Sequence, residues 1–133
     1  MHKIMALDIG TKRIGIALSD FLHVIANGHS YIPRTPENDA LDTIYSIATE
    51  NKVKNIVVGL PVNMDGTYGF QADDCKKFAN KIEGFGIIFE DERLTSEQAE
   101  ENLNAQKINF RKEKGLVDKE SARLILEQYL SRL

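Results

Sequence analysis

Four acidic residues stand where a chain can build chemistry. Asp8 falls near the end of the apolar run KIMALDI, a context in which aspartate is disfavoured, and Gly10 follows to let the backbone turn. Asp91 and Glu92 sit where the apolar run FGIIFED ends and a helix signal begins. Asp118 stands at the start of the last amphipathic stretch. Each has an ordinary alternative. Asp8 can cap its own turn, Asp91 or Glu92 can sit at the positive end of the next helix, and Asp118 can be an N-cap. A cap and a ligand are not exclusive, since a carboxylate has two oxygens. Gathered together, such acids suit Mg²⁺ or Mn²⁺, hard cations that take oxygen ligands. Two such ions roughly 4 Å apart can activate a water and stabilise the leaving oxygen of an in-line phosphoryl displacement. That chemistry needs no histidine, cysteine or serine nucleophile. His2, His23 and His29 lack metal-ligand spacing and read as surface or turn residues, and Cys75 lies on an apolar helix face.

The elements that must position these acids are readable in order. KIMALDI and RIGIALS are strands joined by a short turn, so they pair antiparallel. VIANGHSYI reads as a weaker third strand. Thr35-Pro36 signals a helix, with Thr35 as N-cap and Pro36 at the first position. Its apolar spacing runs through Leu41, Ile44, Tyr45, Ile47 and Ala48 to about Glu50. NIVVGLP is a short continuous apolar run, the mark of a strand buried on both faces. VNMDGTYG is a loop, and a helix is expected from Phe70 to Glu83 with Ala72, Cys75, Phe78, Ala79 and Ile82 on one side. FGIIFED reads as another buried strand. Thr95 and Gln98 form a capping box for a third helix. Residues 104–115 are polar and expected to be mobile. The last helix is expected over Asp118–Leu130, with Ala122, Ile125, Leu126, Tyr129 and Leu130 on its stripe. The order β-β-β-α-β-α-β-α-α is that of the RNase H-like architecture, an α/β fold with a mixed five-stranded sheet flanked by helices.

Length fits one domain over residues 1–133, and a hydrophobic fraction of 42% is enough for one core. No apolar run reaches the roughly 18 residues a membrane span needs, and no signal peptide is visible. One cysteine excludes an internal disulfide and suits a reducing cytoplasm. The net charge of −3 argues against a protein that coats nucleic acid through its overall charge. Phosphate contacts would need a local patch, and Lys107, Arg111, Lys112, Lys114 and Lys119 supply one candidate, with a solvated polar loop as the alternative.

The blocks ALDIGTKRIGIALSD, IVVGLPVNMDGTYGFQA, DERLTSEQA and VDKESARLILEQYL, spread over nearly the whole chain, resemble the YqgF/RuvX family of Holliday-junction resolvase-like proteins. The resemblance implies an RNase H-like fold related to the resolvase RuvC, and a nuclease maturing the precursor of the small-subunit ribosomal RNA in bacteria. It makes Asp8, Glu92 and Asp118 the catalytic acids and Mg²⁺ or Mn²⁺ the cofactor. Glu92 is favoured over Asp91, although strand parity is unreliable at a strand end and Asp91 stays open as a metal ligand. Arg13, Asp20, Asn63, Gly66, Gln71, Arg93 and Thr95 also fall in matching blocks. Arg13 and Arg93 are candidate phosphate donors, or anchors of the acids by ion pairing. Lys112 and Lys114 are candidate substrate contacts.

The expected partner is nucleic acid, with an rRNA precursor favoured over branched DNA. The ribosome is a candidate platform, no membrane is involved, and the state is a monomer or weak homodimer. Two other classes compete. A non-catalytic binding module would keep its activity with Asp8→Asn. An actin-like or sugar-kinase ATPase also opens with a DxG strand-turn-strand, but needs two lobes, and this length supplies about one.

Overall fold

The computed structural model describes residues 1–63, 65–92 and 96–133. Its elements follow the expected order: β1 (Lys3–Ile9), β2 (Arg13–Ser19), β3 (Ala26–Pro33), α1 (Glu37–Glu50), β4 (Val53–Pro61), α2 (Phe70–Ala79), β5 (Gly86–Glu92), α3 (Ser96–Ala105) and α4 (Gly115–Leu130). The strands form one sheet in the order β3-β2-β1-β4-β5. β1 pairs antiparallel with β2 and β2 with β3, as short turns require; β1–β4 and β4–β5 are parallel crossovers through helices. This is the RNase H-like mixed sheet. Among the described residues no helix is long and apolar enough to cross a membrane.

Alternation along the central strands divides the core. Met5, Leu7 and Ile9 of β1 join Ile56 and Val58 of β4 against α1 and α2, through Ala40, Ile44, Cys75 and Phe78. Ile4 and Ala6 turn to the opposite face, with Val57, and meet Ala122, Ile125, Leu126 and Leu130 of α4. β1 and β4 thus bury both faces, which is why they read as continuous apolar runs. Each fully buried Ile or Leu contributes about 1.5–3 kcal/mol. The sulfur of Cys75 is buried and lies 3.5 Å from the Ile9 carbonyl oxygen, and burial pushes its thiol up to about 12, fitting the core role expected for it.

Several expectations are corrected. Pro36, not Thr35, is the N-cap of α1: it is extended (φ −65°, ψ 143°) and no side chain bonds the helix end. α2 stops at Ala79 instead of Glu83, because the chain tightens into i→i+3 turns at Lys81 and Ile82. β5 is not doubly buried; it is the sheet edge beyond β4, so Phe89 lies partly in solvent. α4 begins at Gly115, three residues before Asp118, so Asp118 lies inside the first turn and is not the cap. Thr95 of the expected capping box lies outside the described residues, and Gln98 donates to Asn102 within α3.

Candidate active site

β1, β4 and β5 run parallel, so their carboxyl ends share one edge of the sheet, where open α/β sheets bind ligands. Asp8 sits at that edge on the α4 face, following Ile4 and Ala6 in alternation. Its direct partner on β2 is Gly15. A Cβ at Gly15 would lie 1.9 Å from the Asp118 main-chain oxygen and 3.0 Å from the Lys119 nitrogen. The missing side chain is what lets the first turn of α4 rest on β2. Asp118 is thereby lowered beside Asp8, with its Oδ1 3.7 Å from where a Gly10 Cβ would stand.

The β4 side of Asp8 is built the same way. Gly59 lies one step beyond the Leu7–Val58 pair. A Cβ there would meet Ile125 Cδ1 at 2.6 Å and Glu92 Oε2 at 3.5 Å. Two glycines therefore flank Asp8, and the space they leave is taken by α4 and by the Glu92 carboxylate.

Parity along β5 decides between the two acids at its end. Ile88, Glu90 and Glu92 share the α4 face. Glu90 is only 1% exposed and accepts from Gln128 Nε2 at 2.7 Å and from Arg132 Nη1 at 2.8 Å, which ties β5 to α4. Asp91 points to the other face, where its Oδ1 accepts from the Tyr68 hydroxyl at 2.5 Å. The charge of Asp8 acts on Glu92, whereas Asp91 is engaged by Tyr68 on the opposite face.

The electrostatics match this geometry. Burial, and then the charge of Asp118, push the Asp8 carboxyl up to about 7. Burial, and then the charge of Asp8, push Glu92 up to about 8. Asp8 is the hub, coupled to Asp118 on one side and to Glu92 on the other. Among the described residues no three His, Cys, Asp or Glu groups are already gathered at metal-ligand distance. The donor set nonetheless suits a hard divalent cation: three carboxylates, no thiolate or imidazole, and a repulsion that a cation would relieve.

Arg13 Nε donates to Asp118 Oδ2 at 2.7 Å, which forms the ion pair with an acid that was one of its two expected roles. Among the described residues its Nη1 and Nη2 bond to no acceptor, which leaves two donors beside the ion pair. Arg93 lies outside the described residues. Asp20 caps the β2–β3 turn, accepting from the Val24 and Ile25 amides. Asn63 closes the loop after β4 through Thr67, with Gly66 at φ +86°. His29 is exposed and meets the neighbouring Ser30 hydroxyl, while His23, half-buried at the β2–β3 turn, reaches the His2 carbonyl oxygen at 2.7 Å.

The basic segment is tied to the row of the sheet that holds Asp8. Gly15 pairs with Asp8 on one side and Tyr31 on the other. The Tyr31 hydroxyl donates to Glu113 at 2.6 Å, in the loop that carries Lys107, Arg111, Lys112 and Lys114, all exposed. With strands about 4.8 Å apart, Tyr31 is about 10 Å from Asp8. Lys119 lays its stem on Gly28. Sequence reasoning missed Arg34. Its Nη1 and Nη2 clamp Asp74 of α2 at 2.6 and 2.8 Å, and Nη1 also donates to the Gly10 carbonyl at 3.0 Å, fixing the turn after Asp8. An arginine before Thr-Pro carries no local signal of a partner forty residues away.

A protein-family model described as RuvX, Holliday junction resolvase, matches residues 2–132. The chain belongs to the RuvX family. Relatives carry the name "Putative pre-16S rRNA nuclease". A RuvX-family relative in Picosynechococcus sp. is 45% identical over 129 residues, covering 95% of this chain and 90% of its own. One in Carboxydothermus hydrogenoformans is 42% identical over 132 residues, covering 97% and 96%. Among solved structures, a fowlpox virus resolvase in complex with Holliday junction DNA matches at a TM-score of 0.62 and 12% identity, covering 98% of this RuvX-family chain and 97% of the viral one. At that identity the likeness shows the shared resolvase-type fold alone.

Proposed function

We propose that this RuvX-family protein is a divalent-metal-dependent nuclease that hydrolyses phosphodiester bonds in the precursor of 16S ribosomal RNA. The observation that carries the reading is the placement of Asp8 between two glycines, Gly15 and Gly59, with the charge of Asp118 acting on it and its own charge acting on Glu92. Ordinary capping acids have no need of such crowding. The names of relatives along almost the full chain support the substrate.

Asp8, Glu92 and Asp118 would hold Mg²⁺ or Mn²⁺. When bound, such a cation supplies Lewis-acid polarisation of the phosphate and a lowered pKa for an attacking water. Asp8 and Glu92 must shed their protons to serve as ligands, and positive charge pulls both carboxyls back toward their ordinary range. Arg13 holds the Asp118 carboxylate in place and offers its remaining nitrogens to a phosphate oxygen. Lys112 and Lys114, exposed in the loop tied to Tyr31, attract the flanking backbone. Arg93, a candidate from the resemblance, would add a second guanidinium. On this reading the protein works in the cytoplasm, on precursor ribosomal particles, as a monomer or weak homodimer.

Cleavage of an end-labelled 16S precursor by Asp8→Asn, Glu92→Gln, Asp118→Asn and Asp91→Asn tests the assignment. The first three lose cleavage by about 100-fold or more, while Asp91→Asn keeps most of it, because its amide oxygen still accepts from Tyr68. Equal loss in Asp91→Asn, or full activity in Glu92→Gln, would overturn the ligand set.

A further inference from the structure

Phe70, the first residue of α2, is 86% exposed, and Tyr68 before it is 47% exposed. Scattered apolar residues on a surface are ordinary. This pair is distinguished by where it stands and what holds it. The Tyr68 hydroxyl donates to Asp91, the immediate neighbour of Glu92. The Tyr68 backbone bridges to Val62 at the end of β4. The Lys76 ammonium lies 5.2 Å from the centre of the Tyr68 ring. A pinned tyrosine and a cation thus meet at the carboxyl edge of the sheet, and a second, solvent-exposed ring stands two residues along the chain at the start of α2. They lie on the α2 side, across β5 from the three acids. The basic segment approaches those acids from the opposite, β3 side.

We propose that Phe70 and Tyr68 form a stacking platform for an unpaired nucleobase next to the scissile phosphate, with Lys76 on its backbone. The proposal rests on the nuclease reading above and specifies its substrate class: RNA that is single-stranded at the cleavage point. In a duplex, both faces of a base are covered by its neighbours, so only an unpaired base offers a face to a ring. Stacking is tolerant of sequence, because every base has such a face. A strand would run from the basic segment, past Asp8 and Glu92, to the platform.

The chain contains no tryptophan, so Phe70→Trp places a sole indole on the platform. Its fluorescence is titrated with a short single-stranded oligoribonucleotide and with the matching blunt duplex, in Mg²⁺ and in EDTA. Saturable quenching by the single strand, and little by the duplex, is expected. Phe70→Ala is expected to weaken single-strand binding by about 5- to 100-fold, and Phe70→Trp to restore it. Three results would overturn the platform: no quenching by the single strand while Phe70→Trp still cleaves it, equal quenching by the duplex, or unchanged affinity in Phe70→Ala. Fluorescence that shifts with protein concentration before RNA is added would also overturn it, and would assign the rings to a protein contact. Quenching without acid-dependent cleavage of any RNA by the wild type would instead sink the nuclease reading and leave the platform standing.

Discussion

Gly15 lies directly beneath Asp118: a Cβ on the one would stand 1.9 Å from the main-chain oxygen of the other. The helix that carries the third acid can reach the sheet only because β2 has no side chain at this position. The row then continues through Asp8 on one side and Tyr31 on the other. The same gap that seats α4 therefore creates the carboxylate crowding at Asp8. Gly15→Ala must push α4 away, against main chain that cannot yield as a flexible side chain would. A destabilisation of about 1–3 kcal/mol or more is expected, read as a lower urea midpoint, together with loss of cleavage. An unchanged midpoint would show that α4 docks differently.

Asp8 gives a prediction in pH. Its folded pKa, about 7, stands above the ordinary 3.8, and Glu92, at about 8, stands above 4.5. The folded state therefore binds more protons than the unfolded state between these limits, and stability falls as pH rises from about 4 to about 8. Asp8→Asn removes the hub charge and is expected to stabilise the metal-free protein at pH 8 by about 1–3 kcal/mol, or several degrees in Tm, with little effect at pH 4. Mg²⁺ or Mn²⁺ should raise the wild-type Tm at pH 8 and do much less for Asp8→Asn. Thermal unfolding at both pH values, with and without metal, reads all of this. A variant less stable than wild type at pH 8 would mean that Asp8 is a structural carboxylate.

Arg13 couples two roles that a pair of variants can separate. Its ion pair with Asp118 is part-exposed and contributes at most about 1 kcal/mol to stability. Arg13→Lys keeps a charge but loses the forked donor, so cleavage should drop by about 10-fold with little change in Tm. Arg13→Ala should lose more activity than that. If Arg13→Lys were fully active, the guanidinium would be holding α4 and nothing else.

The basic segment is tested by charge reversal. Lys112→Glu with Lys114→Glu should weaken RNA binding and flatten its salt dependence, by about 0.7 in log–log slope for each phosphate of a single strand that is no longer neutralised. Fluorescence anisotropy across a salt series measures both. Unchanged slope and affinity would return these lysines to the solvated surface.

Much of the fold was legible because its signals are local. Apolar runs, short turns and helical spacing carry the order of all nine elements, and Asp8 stands out as a charge in an apolar strand. The misreadings lie where an outcome depends on distant chain. FGIIFED has the composition of a buried strand but becomes an edge, because no further strand pairs beyond it among the described residues. Asp118 resembles a cap, yet α4 starts earlier at Gly115, where a Cβ would strike the Tyr31 ring. The choice between Asp91 and Glu92 needed the pleat of β5, which Glu90 sets through Gln128 and Arg132. Gly15 and Gly59 carry no local signal that α4 packs across them, because the contact comes from residues more than sixty positions away.

If Asp8 holds a metal ion for RNA hydrolysis, both the ion and the carboxylate are indispensable to cleavage. The most direct measurement is cleavage of end-labelled 16S precursor RNA, unstructured RNA and a four-way DNA junction by the wild type and Asp8→Asn, in Mn²⁺, Mg²⁺ or EDTA. Cleavage of the RNA precursor that needs metal, stops in EDTA and disappears in Asp8→Asn is expected. Cleavage that survives in Asp8→Asn or in EDTA, a preference for the DNA junction, or no cleavage of any substrate by the wild type, would contradict it.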